Sequence, residues 1–175
     1  MTTPNANAKP GDDSLHDRAQ RLSRFARRLL TAQPALLAPS EIAAAWTRET
    51  MQLHLAATPA PTDAALMSAL RDLRKRVMLR LIARDLGGLA TLAEVMTTMS
   101  TLADVAIAAA VAHLERELEA QYGAPEGESD RRAQRLHVVG MGKLGGNELN
   151  VSSDIELVFV YPQDGQTLRA AVGFP

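Results

Sequence analysis

The sequence predicts an α+β protein, mainly helical over residues 14–123, with a short strand-bearing region after a linker. Three features predict it. Hydrophobic residues make up 46% of the chain but aromatics only 3%, so Ala, Leu and Val must do most of the packing, which favours helices. Leu66, Leu70, Leu73, Val77 and Leu81 recur at spacings of four and three, a single helical stripe. Leu136, Val138 and Val139 form a brief apolar run ending at Gly140, and a second run, Ile155–Tyr161, follows a glycine-rich turn. Both runs read as strands.

Bulk properties narrow the function classes. The 175 residues make one ordinary domain or a piece of a larger protein. A net charge of −1 gives no bulk attraction to nucleic acid or to an anionic membrane. Cysteine is absent, so disulfides, thiolate chemistry and cysteine-based zinc sites are excluded. The N-terminus has no apolar signal core. No uninterrupted apolar stretch reaches about 18 residues, so no spanning helix is expected. The simplest location is cytoplasmic.

Residues 1–13 are rich in Thr, Pro, Asn, Gly and Asp and are expected to be disordered. Ser14 caps a first helix reaching about Leu30, with Leu15, Leu22, Phe25, Leu29 and Leu30 inward and five arginines from Arg18 to Arg28 on its other side. Pro34 and Pro39 interrupt the pattern, and Ser40 opens a second helix to about Leu55 with Trp46 as a core anchor. Thr62 caps a third helix, ended by Gly87-Gly88. Arg71, Arg74, Lys75, Arg76, Arg80 and Arg84 lie on it. They are read mainly as solvated, with one or two arginines left to face the acidic pair described below or a phosphate. Thr91 and Glu94 read as a capping box, with Glu94 reaching back to the cap amide. The helix they start runs to Tyr122, stops at Gly123, and turns Leu92, Val95, Met99, Leu102, Ala106 and Ala110 inward. Residues 124–132 read as a polar linker. His16, His54, His113 and His137 show no metal-ligand spacing.

The chemistry concentrates at Gly140–Tyr161. Gly140, Gly142, Gly145 and Gly146 let backbone amides approach a ligand closely. Asp154 and Glu156, two apart in an expected strand, would share one face with Cα atoms about 6.6–7 Å apart. Two hard oxygen ligands beside a glycine turn suit Mg²⁺ bridged to nucleotide phosphates. A dinucleotide fingerprint, Gly140-Met-Gly142-Lys-Leu-Gly145, is disfavoured because only residues 146–153 separate the turn from the next strand. A Walker A loop fails because Leu144 follows Lys143. A nucleotidyltransferase pattern fits: a glycine turn, a spacer, then acid–hydrophobic–acid on a strand.

The run GMGKLGGNELNVSSDIELVFVYP, nearly unbroken from Val139 to Pro162, resembles the signature of the bifunctional glutamine synthetase adenylyltransferase/adenylyl-removing enzymes, most closely their N-terminal, adenylyl-removing part. The segment Arg71–Gly88 resembles the arginine-rich helix before that signature. The resemblance implies an incomplete DNA polymerase beta-like nucleotidyltransferase sheet in residues 133–175. It implies adenylylation or deadenylylation of glutamine synthetase in the regulation of nitrogen assimilation, with ATP or ADP and Mg²⁺, and a PII-type nitrogen signal protein as a further partner. On these positions, Asp154 and Glu156 would be catalytic metal ligands, and Gly142, Lys143, Gly145, Gly146, Ser152 and Ser153 would bind phosphate. The family's second acid is usually Asp, and Glu156 departs from it. The family's third acid lies on a later strand, and the resemblance fades after Thr167, so a truncated or frameshifted product, inactive alone, is expected. The alternative is a non-catalytic helical remnant or interaction fragment.

Overall fold

The computed structural model describes residues 14–167; the expected N-terminal disorder and the last eight residues lie outside that range. Helix α1 spans Leu15–Leu22 and α2 spans Arg24–Ala32. The single helix expected from Ser14 to Leu30 is therefore broken. Ser14 does cap α1, accepting from the Asp17 amide at 3.2 Å. At Ser23 the backbone is extended (φ −114°, ψ 116°) and the hydroxyl caps α2 by accepting from the Ala26 amide. Arg27 donates to the carbonyls of Gln20 and Arg21 at the end of α1. The break turns Leu22 outward, 53% exposed, while Ala19, Ala26 and Leu30 are buried.

A second correction follows. Pro34–Leu36 and Pro39–Glu41 form short 3-10 turns, and α3 is confined to Arg48–Ala56. Thr47 and Thr50 settle its start: the Thr50 amide donates to Thr47 Oγ1 and the Thr47 amide donates to Thr50 Oγ1. Trp46 is only half-buried, but it packs against the core, with the Arg80 guanidinium 4.4 Å above its ring.

Helix α4, Asp63–Leu86, is the centre of the molecule. Thr62 caps it as expected. Its stripe Leu73, Val77 and Leu81 is buried with Met51, Met99, Leu102 and Val105. Leu79 and Ala83, on another side, are buried with Ala19, Ala26, Leu30 and Ile42. Burial on two sides makes α4 the shared wall of two apolar clusters. Gly88, at φ +73°, ends the helix region, and the Leu89 amide donates back to the Arg84 carbonyl.

Helix α5 spans Leu92–Tyr122 and stops at Gly123, φ +82°, as expected. It is long and apolar enough to cross a bilayer by length and composition alone. Here its middle is a core element: Met99, Leu102 and Val105 pack against α3 and α4. The inward stripe begins later than expected, because Leu92 is 72% exposed. The capping box is also half-made. Thr91 accepts from the Glu94 amide, but the Glu94 carboxylate is held by Arg84 at 2.6 and 3.0 Å.

Strands β1 (Pro125–Gly127), β2 (His137–Met141), β3 (Glu156–Val160) and β4 (Gly165–Thr167) form two antiparallel pairs, β1 with β4 and β2 with β3. The stretch read as a linker thus supplies a strand, since β1 finds its partner some 40 residues later. In the larger pair His137 faces Val160 and Met141 faces Glu156. A four-residue helix, α6 (Gly142–Gly145), follows β2 directly.

Candidate functional site

The glycine turn is built by steric need. Gly142 sits at φ +54°, and a Cβ there would lie 3.2 Å from Glu156 Oε2. Positive φ and a neighbouring carboxylate both call for glycine. A Cβ on Gly145 would meet the Gly140 carbonyl at 2.6 Å, and one on Gly140 would meet Leu144 at 2.8 Å. The α6 turn therefore folds tightly back on β2, with Leu144 anchored in the core. The Gly146 amide donates to the Gly142 carbonyl and the Glu148 amide donates to the Lys143 carbonyl. Lys143 itself is exposed.

The connector from 146 to 155 is pinned to the helices. Leu149 is buried, and its amide donates to the hydroxyl of Ser100, a buried residue of α5. Asn150 Oδ1 accepts from both the amide and the hydroxyl of Ser152. The Ser153 hydroxyl accepts from the Asn150 amide at 3.1 Å. Both serines expected to meet phosphate thus hold the turn that carries Asp154.

The acids are placed differently from the sequence expectation. Strand β3 starts at Glu156, and Asp154 lies in the segment leading into it. Pairing needs a partner strand, and β2 gives way to α6 at Met141, so the ladder ends at Glu156. Glu156 lies beside Gly142. Asp154 lines a cleft of about 410 Å³ with Asn150 and Ser153, walled by Arg71 and Arg74 of α4 and by Met99 and Leu102 of α5. Both carboxylates are exposed, and neither has an ion pair or hydrogen bond among the described residues. Hard, unpaired carboxylates fit Mg²⁺, which is commonly held by one or two carboxylates plus substrate phosphates. Among the described residues no group of three or more ligating side chains gathers, so phosphate oxygens would have to complete such a site.

The α4 cations divide sharply. Arg76 pairs with Asp72 at 2.7 Å, Arg80 reaches Glu41 at 3.6 Å, and Arg84 is clamped by Glu94. Burial holds the Arg80 guanidinium below its ordinary pKa, against the charge of Glu41. The Glu94 hydrogen bonds raise that of Arg84. Burial pushes the Asp72 carboxyl upward, but hydrogen bonds from Arg76 and His54 outweigh it, and the net shift is downward. Reading these arginines as mainly solvated missed Arg84, which is 8% exposed and also donates to the carbonyls of Ile42 and Ala43. The usable signal was an arginine and a glutamate flanking a Gly-Gly helix reversal.

Residues 12–173 match the family model for glutamate–ammonia ligase adenylyltransferase. The chain belongs to this family. Among the adenylyltransferases, the bifunctional glutamine synthetase adenylyltransferase/adenylyl-removing enzyme of Nitrosomonas europaea is 46% identical over 151 residues, covering 83% of this chain and 16% of that protein. The protein of the same description from Burkholderia pseudomallei is 48% identical over 161 residues, 86% of this chain and 17% of its own. That from Nitrosomonas eutropha is 43% identical over 173 residues, 95% and 18%. The chain thus spans less than a fifth of the length of these adenylyltransferase relatives.

Proposed function

We propose that this chain carries the nucleotide-binding edge of a nucleotidyl-transferring enzyme that acts on glutamine synthetase in the cytoplasm. The observation that supports it most is two exposed carboxylates with no partner among the described residues: Glu156 beside the Gly142 turn, and Asp154, two residues earlier, lining the cleft walled by α4. In this reading β2, α6 and β3 are part of a DNA polymerase beta-like sheet. Asp154 and Glu156 hold Mg²⁺, which when bound neutralises charge on the phosphoryl group being transferred. The exposed side of the turn, with Lys143, orients the phosphates of ATP or ADP. The reaction is addition of AMP to, or its removal from, a tyrosine of glutamine synthetase, with a PII-type signal protein as regulator of nitrogen assimilation.

Calorimetric titration of ADP in the presence of Mg²⁺ tests this. Binding is expected for the 175-residue chain and is expected to be lost in Asp154→Ala. Equal ADP affinity in the two proteins would end the proposal. A second reading, a non-catalytic helical interaction piece, is favoured by the location of the core: nearly all fully buried apolar residues lie on or between the helices. It predicts no nucleotide binding. On either reading the chain alone is expected not to release ADP from adenylylated glutamine synthetase with phosphate.

A further inference from the structure

Arg71 and Arg74 stand three residues apart on α4, and so lie on one side of the helix. Both are exposed, and both line the cleft that Asp154 enters from the connector. The contrast with their neighbours is informative. Arg76, Arg80 and Arg84 each have an acidic partner. The Arg71 and Arg74 side chains have no ion pair or hydrogen bond among the described residues. Two guanidinium groups thus border a cleft in which Asp154 is the only acid among the described residues. The Ser153 hydroxyl, already engaged with Asn150, does not neutralise them.

We propose that Arg71 and Arg74 form a phosphate subsite facing Asp154, which takes the terminal phosphate of a nucleoside diphosphate or free orthophosphate. The identification of the ligand as a nucleotide rests on the reading above. A guanidinium fork donates two parallel hydrogen bonds to phosphate oxygens, and two forks on one helix side match a dianion. Asp154 repels that anion unless a divalent cation stands between them, so the subsite and the carboxylates act as one unit only in the presence of metal. The apolar wall of Met99 and Leu102 supplies a low-dielectric side, against which charge pairing gains strength.

Titrations of ADP, AMP and orthophosphate into the 175-residue chain with Mg²⁺ test the subsite. The wild-type chain is expected to prefer ADP over AMP by about tenfold or more. In Arg71→Gln/Arg74→Gln that preference falls to about twofold or less, while AMP affinity holds. The matched pair Arg24→Gln/Arg28→Gln removes equal charge from α2, whose residues do not line the cleft, and leaves the preference intact. Both pairs of side chains are exposed, so folding is expected to be preserved, with circular dichroism as the check. If orthophosphate binding depends on Arg71 and Arg74 but the ADP:AMP ratio does not, the subsite is one for free phosphate. If neither measurement responds to the double substitution, the subsite is overturned. An Asp154→Ala protein with unchanged ADP binding fails differently: it removes the carboxylate reading and leaves the arginine result standing.

Discussion

The α4–α5 hairpin and the β2–α6–β3 unit are neighbours built on opposite terms. In the hairpin, Leu73, Val77 and Leu102 are buried, and Arg84 is paired across the turn with Glu94. In the strand unit Leu144 and Leu149 are buried in the core and Leu157 packs against it, while Val139, Val158, Phe159 and Val160 are exposed and the acids have no partners among the described residues. At its turn the hairpin uses charge to close itself. The strand unit leaves its two acids open to solvent. Disruption of the first should therefore unfold the protein, and disruption of the second should spare the fold and remove binding.

The largest effect is expected from Leu73→Ala, which empties a fully buried position shared by three helices. Losses of roughly 2–5 kcal/mol are typical of such truncations, and urea unfolding measures it. Arg84→Ala comes next, at about 3 kcal/mol, because it leaves the largely covered Glu94 carboxylate and two carbonyls unpaired. A midpoint unchanged from wild type would show that the ion pair does not close the hairpin. Gly145→Ala forces a methyl toward the Gly140 carbonyl and is expected to cost about 1–3 kcal/mol, with ADP binding lost before global stability. Loss of stability as large as that of Leu73→Ala would erase the contrast between the two regions.

Smaller effects sharpen the helical side. The Asp72 carboxyl is held below its usual value near 3.9. A depressed folded pKa contributes stability that is fully present above the unfolded value and is lost as pH falls through the folded one. Asp72→Asn should therefore lower stability at pH 7 slightly, by less than about 1 kcal/mol for so exposed a pair, and the difference should shrink as pH falls below the usual carboxylate value and vanish once the folded carboxyl is protonated. A gap that widens on acidification would reverse the assignment. Leu22→Ser is expected to change stability by less than about 0.5 kcal/mol, since Leu22 faces solvent. A cost typical of core residues would mean that one continuous helix, not two, covers this end of the molecule.

What the amino-acid order alone settled was whatever a few neighbouring residues can enforce. Ser14, Thr62 and Thr91 cap helices through hydroxyls that reach amides three residues on, and Gly123 stops α5 because a positive φ suits glycine. The main stripe of α4 and the glycine turn were legible for the same reason, as was the family resemblance carried by residues 139–162. The rest depended on partners distant in the chain. Ser23 and Thr47 compete with helix-forming neighbours, and only packing onto α4 selects the break. Glu94 had two possible partners, its own cap amide or Arg84, and the helix reversal brought the stronger one within 2.6 Å. Asp154 left the strand because its neighbour β2 ended first, and it joined Arg71 and Arg74 because Leu149 and Ser100 tie the connector to α5. Periodicity reports which side of an element is apolar; it carries no term for which charged group will be nearest once the elements have packed.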